Sequence, residues 1–440
     1  MPYYPHLGAF ESTKIFGTSH DILSTTKHLE RWQDDLEMLR DAGIRELRYP
    51  APWHRIERQF GEWDWDWIDG PLNLMRRLGM RPILDPLHHV SFPDWLQNGF
   101  ANPEFPKFYT RFVRKVAERY PWVDRYTVVN EPLPTTILCA QMGAWYPHQR
   151  SDADFVSMAV NVARAICLAS AQLRELNRGI ELVHIDACEH HQALDSESEP
   201  WVEHANHRRF LYHDLILGKI DGSHPLLPYL RKYGFDTDQQ HWLRDHQAEF
   251  DVLGLDYYAH SEIDWRWNAL EKRAVINFPC ERPRGFAEVA GDFVRRFRVP
   301  ILLSETNVGG TPTDRLTWLK FMEQQAEELS RVSDFRGFCW FPSIDATDWS
   351  SLCTEARLEL SPMGIWSLEG DNRERHGSLL SEWYVRLAQG RASWKDLPAY
   401  EFIAPLDRDL HGYRRLMQAW TQSSVPSLTP PLFEPLELRR

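Results

Sequence analysis

Two glutamates stand where apolar runs break off. Glu131 closes the run in TVVNEP (residues 127–132), and Glu305 closes the run in ILLSETN (residues 301–307). A single glutamate in such a place is ordinarily a cap or a salt-bridge partner. Two of them, facing each other, can cleave a glycosidic bond. One carboxyl stays protonated and gives its proton to the leaving oxygen; the other stays ionised and attacks the anomeric carbon or stabilises its positive charge. Unequal surroundings divide the roles by driving the two pKa values apart. Other polar residues end similar runs: Arg48, His88 and His89, Asn130, Asp256 and Tyr258, and Trp340.

Something must bring these residues to one place. Seven short runs, residues 45–49, 81–86, 125–130, 181–186, 251–258, 299–304 and 336–341, read as strands. Most are apolar throughout their centres, as strands of a parallel sheet covered on both faces are. A weaker eighth is TKIFGTS, residues 13–19. Between them lie amphipathic helical stretches, such as Leu29, Trp32, Leu36 and Leu39, or Phe105, Phe108, Phe112, Val116 and Tyr120. Glycines in DAGI and RLGM end two helices just before a strand. Alternating strands and helices in this number predict an α/β fold, a (β/α)8 TIM barrel, with polar residues at strand C-termini around one mouth. The open doubly wound sheet is the rival, but neither GxGxxG nor GxxxxGK[ST] occurs. The barrel is expected over residues 1–397, with a long loop insertion at 187–250. A proline-rich extension, 398–440, is expected to pack on it.

The length suits one large barrel. A net charge of −13 disfavours a nucleic-acid partner, whose phosphates call for a basic surface. No uninterrupted apolar run reaches the length of a membrane span, and the first residues lack the pattern of a signal peptide. Cys139, Cys167, Cys188, Cys280, Cys339 and Cys353 form no CxxC, so they read as reduced core residues of a cytoplasmic protein. The 19 tryptophans fit either a large core or the aromatic lining of a sugar site.

From about residue 16 to 384 the chain resembles the retaining glycoside hydrolases of clan A, most of all family 1, the β-glucosidase family. YTVVNEP resembles the family's acid/base strand, which implies that Glu131 is the acid/base. ILLSETN resembles the TENG nucleophile strand, which implies that Glu305 is the nucleophile. RYPAPWHRI is similar to RFSIAWPRI and makes Arg48 the cation beside that nucleophile. LHHVSFPDWL resembles LYHWDLPQWL and implies that His89 meets a sugar hydroxyl, while Asn130 holds the 2-hydroxyl. LGLDYY resembles LGINYY, bringing Tyr258 to the nucleophile and putting Asp256 where the family has Asn. GFCWFPSIDATDW resembles GYFVWSLLDNFEW; this implies Trp340 under the sugar ring, with Asp348 and Trp349 in place of the family's Glu-Trp pair. The sugar-clamping Gln of SYQIEG falls at Asp21, next to His20. The changes at Asp21, Asp256 and Asp348 leave the two-glutamate chemistry alone and blur the identity of the sugar. No serine, lysine and tyrosine set for a 6-phosphate follows Trp349.

The expected activity is therefore β-glycoside hydrolysis on a carbohydrate substrate, with no cofactor. A transglycosylase would keep the same residues, and the oligomeric state is open. Two other classes compete. A metal-dependent barrel hydrolase would draw on HIDACEHH (residues 184–191) and DPLHH (85–89). A carbohydrate-binding or regulatory protein on a degenerate hydrolase scaffold would account for the altered clamp residues.

Overall fold

The computed structural model describes residues 4–277, 280 and 283–400. Eight parallel strands close into a barrel: β1 (His6–Ala9), β2 (Glu46–Pro50), β3 (Arg81–Asp85), β4 (Arg125–Tyr126), β5 (Glu181–Ala187), β6 (Val252–Asp256), β7 (Ile301–Glu305) and β8 (Phe335–Cys339). Each pairs with its neighbours in chain order, and β8 returns to β1 through His6↔Phe338 and Leu7↔Cys339.

Side chains alternate across each strand. Leu7, Ala9, Ile83, Val183, Ile185, Val252, Leu302 and Cys339 fill the interior beneath the mouth, with Phe341 above them. Gly254 belongs to this layer because a Cβ there would come within 2.5 Å of Ile185 and 2.7 Å of the Ser304 hydroxyl. The alternate residues face a shell of helices: α1 (His28–Asp41), α2 (Asp66–Leu78), α3 (Phe105–Arg119), α4 (Asp152–Leu176), α5 (Leu211–Ile216), α6 (Phe286–Phe297), α7 (Pro312–Ser330) and α8 (Leu379–Ala388). Their ends follow local rules. Ser151 caps α4 through the Asp154 amide, and Thr311 with Asp314 forms a capping box at α7. By length and composition α4 could cross a membrane, with 25 residues and a mean hydropathy of 1.4 over its most apolar window. Of that window 67% is buried inside the fold, as in a core helix.

Two strand expectations are corrected. The first strand is His6–Ala9, not residues 13–19; the latter form a loop that turns at Gly17 and closes on itself through the Lys14↔Asp21 bridge. Four residues that follow a proline and include a glycine carry too little pattern to stand out. The fourth strand keeps regular pairing only over Arg125–Tyr126. Beyond it the chain stays beside its neighbours through separate bonds: Thr127 N–H to Leu84 O, Asn130 N–H to Leu87 O and Glu131 N–H to Ile185 O. The insertion at 187–250 holds short helices, and its strand His190–Ala193 pairs with the hairpin Glu262–Asn268 and Arg273–Asn277. The expected extension from 398 lies outside the described residues beyond Tyr400, whose amide bonds the Thr317 hydroxyl on α7.

The tryptophan question divides. Trp53, Trp63, Trp65 and Trp95 pack with Phe108, Phe112 and Tyr120 in the helix layer. Trp145, Trp340 and Trp349 belong to the mouth.

Candidate active site

Glu305 is the last residue of β7. The register with β6 slips between Leu303 and Glu305, a bulge that re-aims the side chain into the mouth. Arg48 on β2 donates through Nη1 to Glu305 Oε1 and to the Ser304 carbonyl (3.1 Å), and Tyr258 donates its hydroxyl to Oε2 at 2.6 Å. Both oxygens of Glu305 are thus fixed, one by the guanidinium and one by the phenol hydroxyl. The second arm of Arg48, Nη2, donates to Asn130 Oδ1 at 2.6 Å. The Asn130 Nδ2 amide is buried and has no protein acceptor, a donor presented to the mouth.

Glu131 adopts a left-handed backbone (φ 44°), and Pro132 opens a short helix, Pro132–Thr136, directly after it. Such backbone strain on a non-glycine residue concentrates at functional sites. Here it turns the carboxyl toward Glu305: carboxyl oxygens of Glu131, Asp256 and Glu305 lie within 4.8 Å of one another. Burial, then the charges of Glu305, Asp256 and Asp186, push Glu131 well above the usual carboxyl range, with Arg48 opposing. Its side chain is 13% exposed against 4% for Glu305, so Glu131 sits nearer the solvent and Glu305 at the floor. Asp256 accepts from the Ser304 hydroxyl at 2.6 Å, while its other oxygen is buried and unpartnered. Burial and the Glu305 charge raise it well above the usual range too.

His89 also has a positive φ (51°). Its Nδ1 is hydrogen-bonded to Thr135 Oγ1 at 2.9 Å, and its Nε2 lies 3.8 Å from Glu131. Burial, then the charge on His88, hold it well below the usual imidazole range, so it is neutral. His88 is the opposite case. Burial would lower it, but Glu11 at 3.3 Å and Asp85 at 2.8 Å raise it to about 10. Glu11 in turn is held at about 2 against its burial by His88, His89 and Thr13. An imidazolium between two carboxylates therefore braces the strand ends below His89.

The residues expected at the sugar differ in what their polar atoms already bind. Trp349 is half-buried beside His89 and Trp145, with its indole N–H unpartnered. His20 is buried, and neither ring nitrogen has a hydrogen-bond partner; Nε2 lies 3.3 Å from Asp348. Burial lowers its pKa, with Asp348 and Asp21 opposing. Asp21, by contrast, caps the turn at Leu23 and pairs with His54 (2.8 Å) and Arg55 (2.6 Å), which hold it at about 2 despite burial. Asp348 uses its two oxygens on the Leu358 and Glu359 amides, closing its own loop. Trp340 is fully buried and donates its indole N–H to the Met363 carbonyl at 2.8 Å. Asp21, Asp348 and Trp340 are thus engaged with protein atoms, leaving His20 and Trp349 as the open groups on that side.

Glu11, Thr135, Trp145 and Ser304 were missed from the sequence. Glu11 lies two residues past β1, so placing that strand correctly would have exposed it. The others have no signal apart from their tertiary neighbours.

A family model described as Glycosyl hydrolase family 1 matches residues 10–273, more than half of the chain. That span includes Arg48, His89, Asn130, Glu131 and Tyr258 and stops short of Glu305. Beta-glucosidase A of Thermotoga maritima is 22% identical over 241 residues, 53% of this chain and 54% of that protein. A 1,4-beta-D-glucan glucohydrolase of Thermotoga neapolitana is 20% identical over 251 residues, 55% of this chain and 59% of that one. The chain thus spans about half the length of these sequence relatives. The structure of a family 1 β-glucosidase from Thermotoga maritima superposes with a TM-score of 0.75 at 16% identity, covering 88% of this chain and 98% of that one, a likeness of fold. The chain belongs to glycosyl hydrolase family 1.

Proposed function

We propose that the protein is a retaining β-glycosidase. The observation that carries this reading is the Glu131–Glu305 pair: carboxyl oxygens within 4.8 Å of each other, with Glu131 pushed well above the usual carboxyl range and Glu305 held by the Arg48 guanidinium. Retaining enzymes hold their carboxyls about 5–5.5 Å apart, whereas inverting ones need roughly 6.5–9.5 Å to admit a water. Glu305, ionised between Arg48 and Tyr258, attacks the anomeric carbon while Glu131 hands its proton to the leaving oxygen. The glycosyl–Glu305 ester is then hydrolysed by a water that Glu131, now a carboxylate, deprotonates. The free Asn130 amide takes the 2-hydroxyl, and His89 and His20 offer imidazole nitrogens to other hydroxyls. The relatives' names point to β-glucosides and short β-1,4-glucans as first substrates.

A metal-dependent hydrolase fits this mouth less well, because the Arg48 guanidinium already provides the cation at Glu305. Six cysteines that form no disulfide among the described residues suit a reducing compartment, so a cytoplasmic setting is part of this reading.

The decisive experiment replaces Glu305 by Gly. Hydrolysis of an aryl β-glucoside should vanish, and azide should restore turnover with an α-glycosyl azide as product. Parental hydrolysis by Glu305→Gly would overturn the assignment.

A further inference from the structure

A second cluster of ligating side chains lies outside the barrel, beneath α5. His184 and Asp186 occupy alternate positions of β5 and so share its outward face, and His213 comes down from α5. Ligating atoms of all three lie within 4.8 Å of one another, and all three residues are buried. His184 Nε2, both nitrogens of His213 and Asp186 Oδ2 have no hydrogen-bond partner. Buried polar atoms are nearly always paired, so orphans on all three of these clustered residues call for a ligand. The two imidazole rings meet edge to face, with centroids 4.8 Å apart, and Phe250, Phe293 and Phe297 wall the cluster.

We propose that His184, Asp186 and His213 form a structural site for a divalent ion of the zinc class, distinct from the catalytic mouth. Two imidazoles and one carboxylate are a donor set that zinc accepts at about 2.0–2.2 Å, and binding draws the three side chains closer together. The fourth position falls to a water: a cavity of about 10 Å³ lined by His184, Ser170, Ile216 and Phe250 adjoins the cluster, roughly room for one. The nearby cations are engaged elsewhere: Arg296 with Asp214, and Lys219 over the Phe297 ring.

Asp186 Oδ1 accepts from the Leu133 amide (3.2 Å) and the Ala187 amide (3.0 Å), so the ion would tie α5 and β5 to the helix that follows Glu131.

The test is to produce the full chain in minimal medium with zinc or with cobalt as the added metal, and to measure the bound metal after gel filtration. The wild type should retain near-stoichiometric zinc, and the cobalt form should show the visible bands of a four-coordinate N/O site. His213→Gln and His184→Gln should each lose metal and band together. Metal-free wild type with no cobalt band overturns the proposal even if the variants fail to fold, as does equal metal content in wild type and folded variants.

Discussion

Arg48 binds Glu305 and Asn130 with the two arms of one guanidinium, Nη1 on the carboxylate and Nη2 on the amide oxygen. One planar side chain thereby fixes both the attacking group and the amide that faces the substrate's 2-hydroxyl. Lysine carries the same charge but has no fork. Arg48→Lys should keep the pair with Glu305 and release Asn130. A hydrogen bond to a charged group is worth about 1.5–3 kcal/mol, so kcat/KM on an aryl β-glucoside should fall about ten- to a hundredfold. The loss should be much smaller on the matching 2-deoxyglycoside, which has no hydroxyl for Asn130. Equal losses on both substrates would contradict the forked role.

Glu131 is kept protonated partly by the negative charge of Glu305. Removing that charge makes ionisation easier, so the pKa of Glu131 must fall. In Glu305→Gln, a carbon-13 titration of Glu131 should shift downward relative to the parent, because the raising charge of Glu305 is gone. In the parent, the alkaline limb of kcat/KM should report Glu131 and lie above the range of an ordinary glutamate. An unchanged Glu131 titration in the variant would refute the coupling.

The barrel and the two glutamates could be read from the chain because strands two to eight are apolar runs that end in chemically distinctive residues. The first strand could not: the four residues His6–Ala9, with Gly8 among them, are all buried and show no period. That displacement hid Glu11 and with it the brace on His88. The sugar side is a different case. Asp21 and Asp348 are spaced as substrate ligands would be, but their oxygens face His54, Arg55 and two loop amides, partners supplied by the folded chain. Sequence spacing places a residue at the mouth; the tertiary neighbours decide whether its polar atoms are still free.

Tyr258 donates its hydroxyl to Glu305 at 2.6 Å, and burial followed by the Glu305 charge raises its own pKa, so it stays a donor across the working range. Tyr258→Phe removes one bond to the nucleophile and leaves the ring. The expected loss in kcat is about ten- to a hundredfold, from a charge-assisted bond of roughly 1.5–3 kcal/mol. KM should change little, because the hydroxyl contacts the enzyme's own carboxylate. Measuring both parameters on one aryl β-glucoside checks it; a rise in KM at constant kcat would mean that Tyr258 binds substrate instead.

Glu11 offers a test of stability against pH. Its carboxyl is held at about 2, below the ordinary 4.5, by His88 and its other partners despite full burial. A carboxyl with a depressed folded-state pKa contributes stability that is present above its unfolded pKa and is lost as pH falls through the folded value. Glu11→Gln leaves the His88 imidazolium with Asp85 as its remaining carboxylate, and breaking a buried pair in this way costs about 3–5 kcal/mol. Urea unfolding at neutral pH should therefore show Glu11→Gln clearly less stable than the parent. The gap should narrow as pH drops below about 4.5 toward 2, because the parent loses the same charge by protonation. A gap that stays constant from pH 7 to pH 3 would show that Glu11 acts through packing alone.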